Sequence, residues 1–342
     1  MKIRILNILL VFLLVSPAQG AEKINVVATL STYADIAEYV GRENVKVNYI
    51  VDGDQDAHFV RPKPSYAVLL SDADLFVSTG LDLELWVPSL VDMSKNANIR
   101  SGQKGFVAAY DGIKLLDKPD VLSRSEGGLH IYGNPHITTS PLNLKIVAEN
   151  IAIGLGKIDP ANSEYYRSNS KKFQEEIDNK TFGEELVKLM GGSLLTKLAN
   201  NGTLIDFLSS KEYKGKKMID YLGGWMKEAL PLRGKKIVAY HKNWIYFQEI
   251  FGIEIIGYVE PKPGIPPSPK HVEELVGEMK KNNVQVLLAA NYFDENKVRR
   301  ICEKVGAKPV IVPMYVGGAP NTESVFKLFD LWIKGLNEAF GN

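Results

Sequence analysis

The sequence predicts an α/β protein of two lobes, each a central, mainly parallel β-sheet flanked by helices, joined by one long α-helix. Three observations carry this. Apolar runs of strand length alternate with stretches of helical period in both halves of the chain, which is the rhythm of parallel βαβ units. Between the halves lies a polar stretch in which Tyr166, Phe173, Ile177 and Phe182 keep roughly helical spacing with no strand signal before Leu186. The 342 residues also suffice for two domains of ordinary size.

The elements follow in order. Lys2 and Arg4 precede an apolar run from Ile5 to Val15, and Ala18 and Gly20 stand at the small-residue positions of a signal-peptidase site. That run is shorter than the roughly 20 residues a membrane span needs, so residues 1–20 read as a cleaved secretory signal. Strands are then expected at Ile24–Leu30, Val45–Val51 and Leu75–Gly80, with helices at Tyr33–Val40, closed by Gly41, at Ser65–Ala73 and at Pro141–Gly156. Asp159-Pro160 is a helix-start signal, and a helix of about 25 to 30 residues from there would be on the order of 40 Å long. In the second half, strands at Lys236–His241, Ile253–Val259, Val284–Ala290 and Pro309–Met314 alternate with helices at Trp244–Phe251, Pro269–Asn283 (capped by Ser268), Glu295–Val305 (capped by Asp294) and Glu323–Phe340. The expected organisation is residues 21–157 as the N-terminal lobe, 158–190 as the linking helix and 191–342 as the C-terminal lobe. Within the last, glycine-broken amphipathic pieces at 191–233 read as an extra helical segment or lid.

Charge and cysteine usage narrow the function. Removing Lys2 and Arg4 leaves 39 basic against 40 acidic residues, so a near-neutral mature chain argues against a nucleic-acid or membrane-surface partner. Cys302 is the only cysteine, which excludes an intramolecular disulfide and a thiolate metal cluster and offers no site for a lipid anchor near the mature N-terminus. A soluble periplasmic protein without a stable membrane anchor is expected.

Three of the five histidines each lie in a short loop right after a strand-like run: His58 in Gly53-DQDAHFVRPKPS, His136 in Gly133-NPHITTSP and His241 in Val238-AYHKNWIYF. Strand ends converge on the cleft of a two-lobed α/β protein. Three neutral imidazoles with one oxygen is a common zinc shell; a nitrogen-rich site without thiolates favours zinc over magnesium or calcium, with manganese and iron still open.

In this order and spacing the three segments resemble the metal receptors of bacterial ABC importers, the zinc and manganese solute-binding proteins of the cluster A-I, ZnuA/TroA-like family. The resemblance extends to Ser71-DADLFVSTGLDLELWV, the central helix and Pro266-PSPKHVEELV. It implies a non-enzymatic receptor, expected as a monomer, that binds Zn(II), or alternatively Mn(II) or Fe(II), between its lobes with little closure and delivers it to a permease driven by a cytoplasmic ATPase. It carries His58, His136 and His241 to the first three ligand places; histidine rather than glutamate at the third favours zinc.

At the fourth place the chain departs from the pattern. Relatives carry an aspartate soon after the last strand, whereas Met314-YVGGAPNTES has Gly317 there. Water, Glu260 or Asp56 remain as candidates, with Glu260 first among the protein groups. His130, six residues before His136, reads as a solvated loop residue or alternate ligand, and His271 as exposed. The stretch from Asp111 to His130 lacks the family's histidine-rich loop, which argues against loop-assisted capture. Neutral imidazoles imply metal loss as the pH falls through about 6. A different class also fits three histidines: a secreted zinc hydrolase with Glu260 as general base. The His-Glu-x-x-His helix, the Gly-x-Ser-x-Gly turn and nucleotide-binding loops are all missing from the sequence.

Overall fold

The computed structural model describes residues 22–118, 130–261 and 264–342. The expected signal segment therefore lies outside the described residues, as do residues 119–129 of the loop before His130. In the first half, strands β1 (Ile24–Leu30), β2 (Val45–Val51), β3 (Leu75–Ser78) and β4 (Phe106–Ala108) form a parallel sheet in the order β2-β1-β3-β4. Helices α1 (Ser31–Gly41), α2 (Pro64–Ser71), α3 (Val87–Ser94) and α4 (Pro141–Ile158) accompany it. β1 is buried along nearly its whole length, as a parallel strand covered on both faces must be.

A helical connection follows: α5 (Ser163–Phe182), α6 (Glu184–Met190), α7 (Gly192–Asn200) and α8 (Leu204–Ser210), then a ribbon of β5 (Glu212–Tyr213) and β6 (Lys216–Lys217), then α9 (Gly224–Glu228). The second parallel sheet contains β7 (Lys236–Ala239), β8 (Glu254–Tyr258), β9 (Val286–Ala290) and β10 (Lys308–Val312) in the order β10-β9-β7-β8. Its helices are α10 (Ile245–Phe251), α11 (Pro269–Lys281), α12 (Glu295–Val305) and α13 (Val325–Phe340). Ser268, Asp294 and Ser324 cap α11, α12 and α13 by accepting from backbone N–H groups.

Three features differ from the sequence expectation. The long helix stops after 20 residues at Gly183, whose φ of 85° an L side chain rarely adopts. Gly191, with φ 79°, breaks the chain again, so one helix of about 40 Å becomes α5, about 30 Å long, followed by two short ones. The three-residue β4 and the helix α3 carry too little periodicity to stand out. The ribbon was also missed; its tight turn rests on positive φ at both Lys214 and Gly215.

α5 folds back on α4. Gly156 sits against Ser163 at one end, and near the other Lys145 donates to Asp178 at 2.6 Å and to Thr196 of α7 at 2.9 Å. α5 also packs on α1 through Tyr39 and Phe173 and donates from Asn169 to the Val40 carbonyl. One face of the second sheet joins the first sheet in a continuous core, while its other face, through Val238, Leu287 and Ala289, packs in a separate cluster with α11 and α12. Each sheet has a switch point, since β1 is flanked by β2 and β3 and β7 by β8 and β9; ligands of open α/β sheets sit beyond the strand ends at such points. There the loop after β10 docks on the first lobe, with Ser31 Oγ donating to the Val316 carbonyl (2.7 Å) and the Tyr315 N–H to the Gly53 carbonyl (3.3 Å).

Candidate metal centre

Four histidines meet at the carboxyl ends of the two sheets. His58 lies in a helical turn, Ala57–Phe59, beyond β2; Asp56 caps that turn by accepting from the His58 N–H, and Trp86 Nε1 pins the Ala57 carbonyl at 2.8 Å. His136 precedes the turn Ile137–Thr139 that leads into α4, and His241 follows β7 directly before the turn Lys242–Trp244. His130 joins them from the first lobe. One ring nitrogen from each of His58, His130, His136 and His241 lies within 4.8 Å of all the others.

On the outer side of the cluster the Nδ1 atoms of His58, His130 and His136 each face a hydrogen-bond acceptor, and His241 Nδ1 has a carboxylate oxygen at ion-pair distance without hydrogen-bond alignment. His58 Nδ1 lies 2.7 Å from Asp56 Oδ1, His130 Nδ1 3.0 Å from Asp82 Oδ1, His136 Nδ1 2.9 Å from Asn134 Oδ1, and His241 Nδ1 2.7 Å from Glu260 Oε2. A neutral imidazole has a single N–H. With that N–H on the side of the oxygen, each Nε2 turns a bare lone pair toward the centre. His58 Nε2 and His130 Nε2 are 3.3 Å apart, and the buried Nε2 atoms of His136 and His241 have no hydrogen-bond partner among the described residues. Lone pairs so placed repel one another and a cation between them removes the penalty. Two nitrogens bound tetrahedrally at about 2.0–2.1 Å from zinc are about 3.3–3.4 Å apart, which the His58–His130 pair already matches.

Burial reinforces the neutral form. It pushes the His136 pKa well below the ordinary histidine value, helped by the neighbouring His58, His241 and His130. Burial likewise lowers that of His241, with Glu260 opposing. For Asp56, burial works to raise the pKa, but hydrogen bonds and charge from His58 outweigh it, so the carboxyl is held below its usual range.

Several residues stand elsewhere than the sequence reading placed them. Glu260, the favoured fourth protein ligand, sits behind His241; its Oε1 accepts from the Gly264 N–H at 2.7 Å. Asp56 is behind His58. His130, read as a solvated loop residue first and an alternate ligand second, is inside the cluster with its side chain only 11% exposed. Gly317 has φ 77° and its N–H donates to the Thr322 carbonyl at 2.7 Å, so its loop contributes a lobe contact instead of a carboxylate. His271 is not free in solvent: its Nε2 lies 2.9 Å from the Tyr258 carbonyl. The roles of Asp82 and Asn134 escaped the sequence reading, although both lie in quoted motifs; a polar residue two places before a loop histidine, as in Asp56/His58 and Asn134/His136, was the signal available.

Comparison with known proteins agrees with this architecture. The family described as "Zinc-uptake complex component A periplasmic", ZnuA, matches residues 26–182 and 210–339 and passes over 183–209, which hold α6, α7 and most of α8. The manganese ABC transporter substrate-binding lipoprotein PsaA of Streptococcus mitis is 24% identical over 87% of this chain and 80% of its own length. The metal ABC transporter substrate-binding lipoprotein ScbA of Streptococcus cristatus is 32% identical over 47% of this chain, and the chain spans about half the length of that relative, 50%. A crystal structure of ZnuA superposes with a TM-score of 0.66 at 20% identity, covering 92% of this chain and 99% of that one. With a family match that spans most of its length, the chain belongs to the ZnuA family of periplasmic zinc-uptake components.

Proposed function

We propose that this chain is an extracytoplasmic receptor that binds one Zn(II) with high affinity between His58, His130, His136 and His241 and delivers it to the permease of an ABC importer, without catalysis. The observation that carries the reading is the convergence of four imidazoles, three with Nδ1 hydrogen-bonded from outside and the fourth, His241, with Glu260 beside its Nδ1. Such outer partners fix the tautomer and raise ligand basicity. An all-nitrogen set suits zinc, whereas manganese is better served by oxygen donors; PsaA, whose name specifies manganese, keeps Mn(II) as the competing cargo. The division into lobes at 21–157 and 191–342 about the 158–190 connection, the periplasmic address, the cleaved signal and a monomeric state belong to the same proposal. Among the described residues no helix is long and apolar enough to cross a membrane.

The hydrolase alternative loses its base. Glu260 lies against the Nδ1 side of His241, with its other oxygen accepting from the Gly264 N–H, behind the ring and away from the Nε2 atoms that face the centre, which is a poor place for a base acting on a metal-bound water. Metal analysis of protein purified without chelator, followed by competition between zinc and manganese, tests the proposal. One zinc per chain that excess manganese does not displace is expected; preferential manganese retention would overturn the cargo assignment.

A further inference from the structure

Directly after His241, the chain of the second lobe is stitched to the first. Asn134 Nδ2 donates to the Lys242 carbonyl at 2.8 Å, and Thr139 Oγ1 to the Asn243 carbonyl at 3.2 Å. The Tyr246 hydroxyl donates to the Asn134 carbonyl at 2.6 Å and accepts from the Leu116 N–H at 3.3 Å. Asn134 and Tyr246 are both buried, at 2% and 3% exposure. Asn134 is the hub, because its Oδ1 also holds the His136 N–H and faces the His136 ring at Nδ1.

We propose that Tyr246 is a positioning residue that sets how fast the ion leaves. The inference rests on the receptor reading above. Release requires an imidazole of one lobe to separate from those of the other, and His136 and His241 are the pair this stitching spans. Tyr246 touches neither ring. It supplies two of the bonds that must break, one to the buried Asn134 carbonyl and one from the half-buried Leu116 N–H, and each adds to the barrier. The ion enters by the same opening, so removing the hydroxyl should speed capture as well as release and change affinity less than either rate.

The test is chelator-triggered zinc release by stopped flow from wild type, Tyr246→Phe and Tyr39→Phe. The last removes a comparable phenol bond, Tyr39 to Glu176 at 2.8 Å, in the contact between α1 and α5. Tyr246→Phe should release zinc about tenfold faster, while cobalt bound in its place keeps the visible spectrum of the wild-type site, and Tyr39→Phe should release at the wild-type rate. Should Tyr246→Phe fail to fold, Thr139→Val, which removes the Asn243 bond, is expected to speed release instead. An unchanged rate in the folded clamp variant, or equal acceleration in Tyr39→Phe, overturns the proposal. A wild type that takes up no zinc overturns the receptor reading itself, and the clamp with it.

Discussion

At the scale of the residue, what distinguishes these histidines is the company each ring keeps. Three carboxylates and one amide stand behind the four rings, and each favours the ring proton on Nδ1, away from the centre. Removing one such partner frees the ring to rotate or change tautomer. Asp82→Ala should therefore lower zinc affinity by about 10- to 100-fold, read by competition with a chelating dye; unchanged affinity would mean that His130 takes no part. The same environment sets the response to acid. Unfolded His136 takes up a proton below about 6.5, whereas the folded residue, its pKa depressed by burial and by the neighbouring rings, does not. The unfolded state then binds more protons, so the metal-free protein should lose stability as the pH falls through that value. Denaturant midpoints at pH 7.5 and pH 5 check the sign. Zinc, for its part, should stay bound below the usual histidine range, somewhat lower than the value of about 6 expected from unperturbed imidazoles.

At the scale of the element, strands and caps were legible while breaks and pairings were not. Apolar runs such as Val286–Ala290 announce buried parallel strands, and Ser268 and Asp294 announce helix starts. The length of α5 was not readable, because the stop depends on the positive φ of Gly183, a choice made by its packing against Gly223. Nor does spacing reveal that Lys145 of α4 meets Asp178 of α5. Their side chains are 12% and 10% exposed, and a buried charge left alone costs roughly 3–5 kcal/mol. Lys145→Met should destabilise the protein by about that much in urea unfolding, and Asp178→Asn in the same background should recover part of it. A loss below about 1 kcal/mol would show that water compensates the pair.

At the scale of the whole molecule, the sequence disclosed three members of the cluster and two lobes, but not how the lobes are keyed together. His58, His136 and His241 were visible from their motifs. His130 was legible only as an alternate ligand, second to a solvated loop residue, since only the fold brings a residue six places before His136 to 3.3 Å from His58. The keying at Gly53 was equally hidden. A Cβ there would collide with the Gly318 N and the Val316 carbonyl oxygen, so the loop after β10 reaches the first lobe only because Gly53 lacks a side chain. Gly53→Ala should cost about 1–3 kcal/mol of stability, as overpacking does, and loosen zinc binding because His58 lies in the same loop. Wild-type stability in that variant would show that the loops part without strain.

The central claim is that four imidazoles hold one zinc ion. X-ray absorption at the zinc edge of the loaded protein reads it directly, because imidazole rings scatter beyond the first shell. Four nitrogen neighbours at about 2.0–2.1 Å are expected, with ring scattering from four histidines that falls to three in His130→Ala. A shell with a carboxylate oxygen in place of the fourth ring, unchanged in His130→Ala, would contradict it.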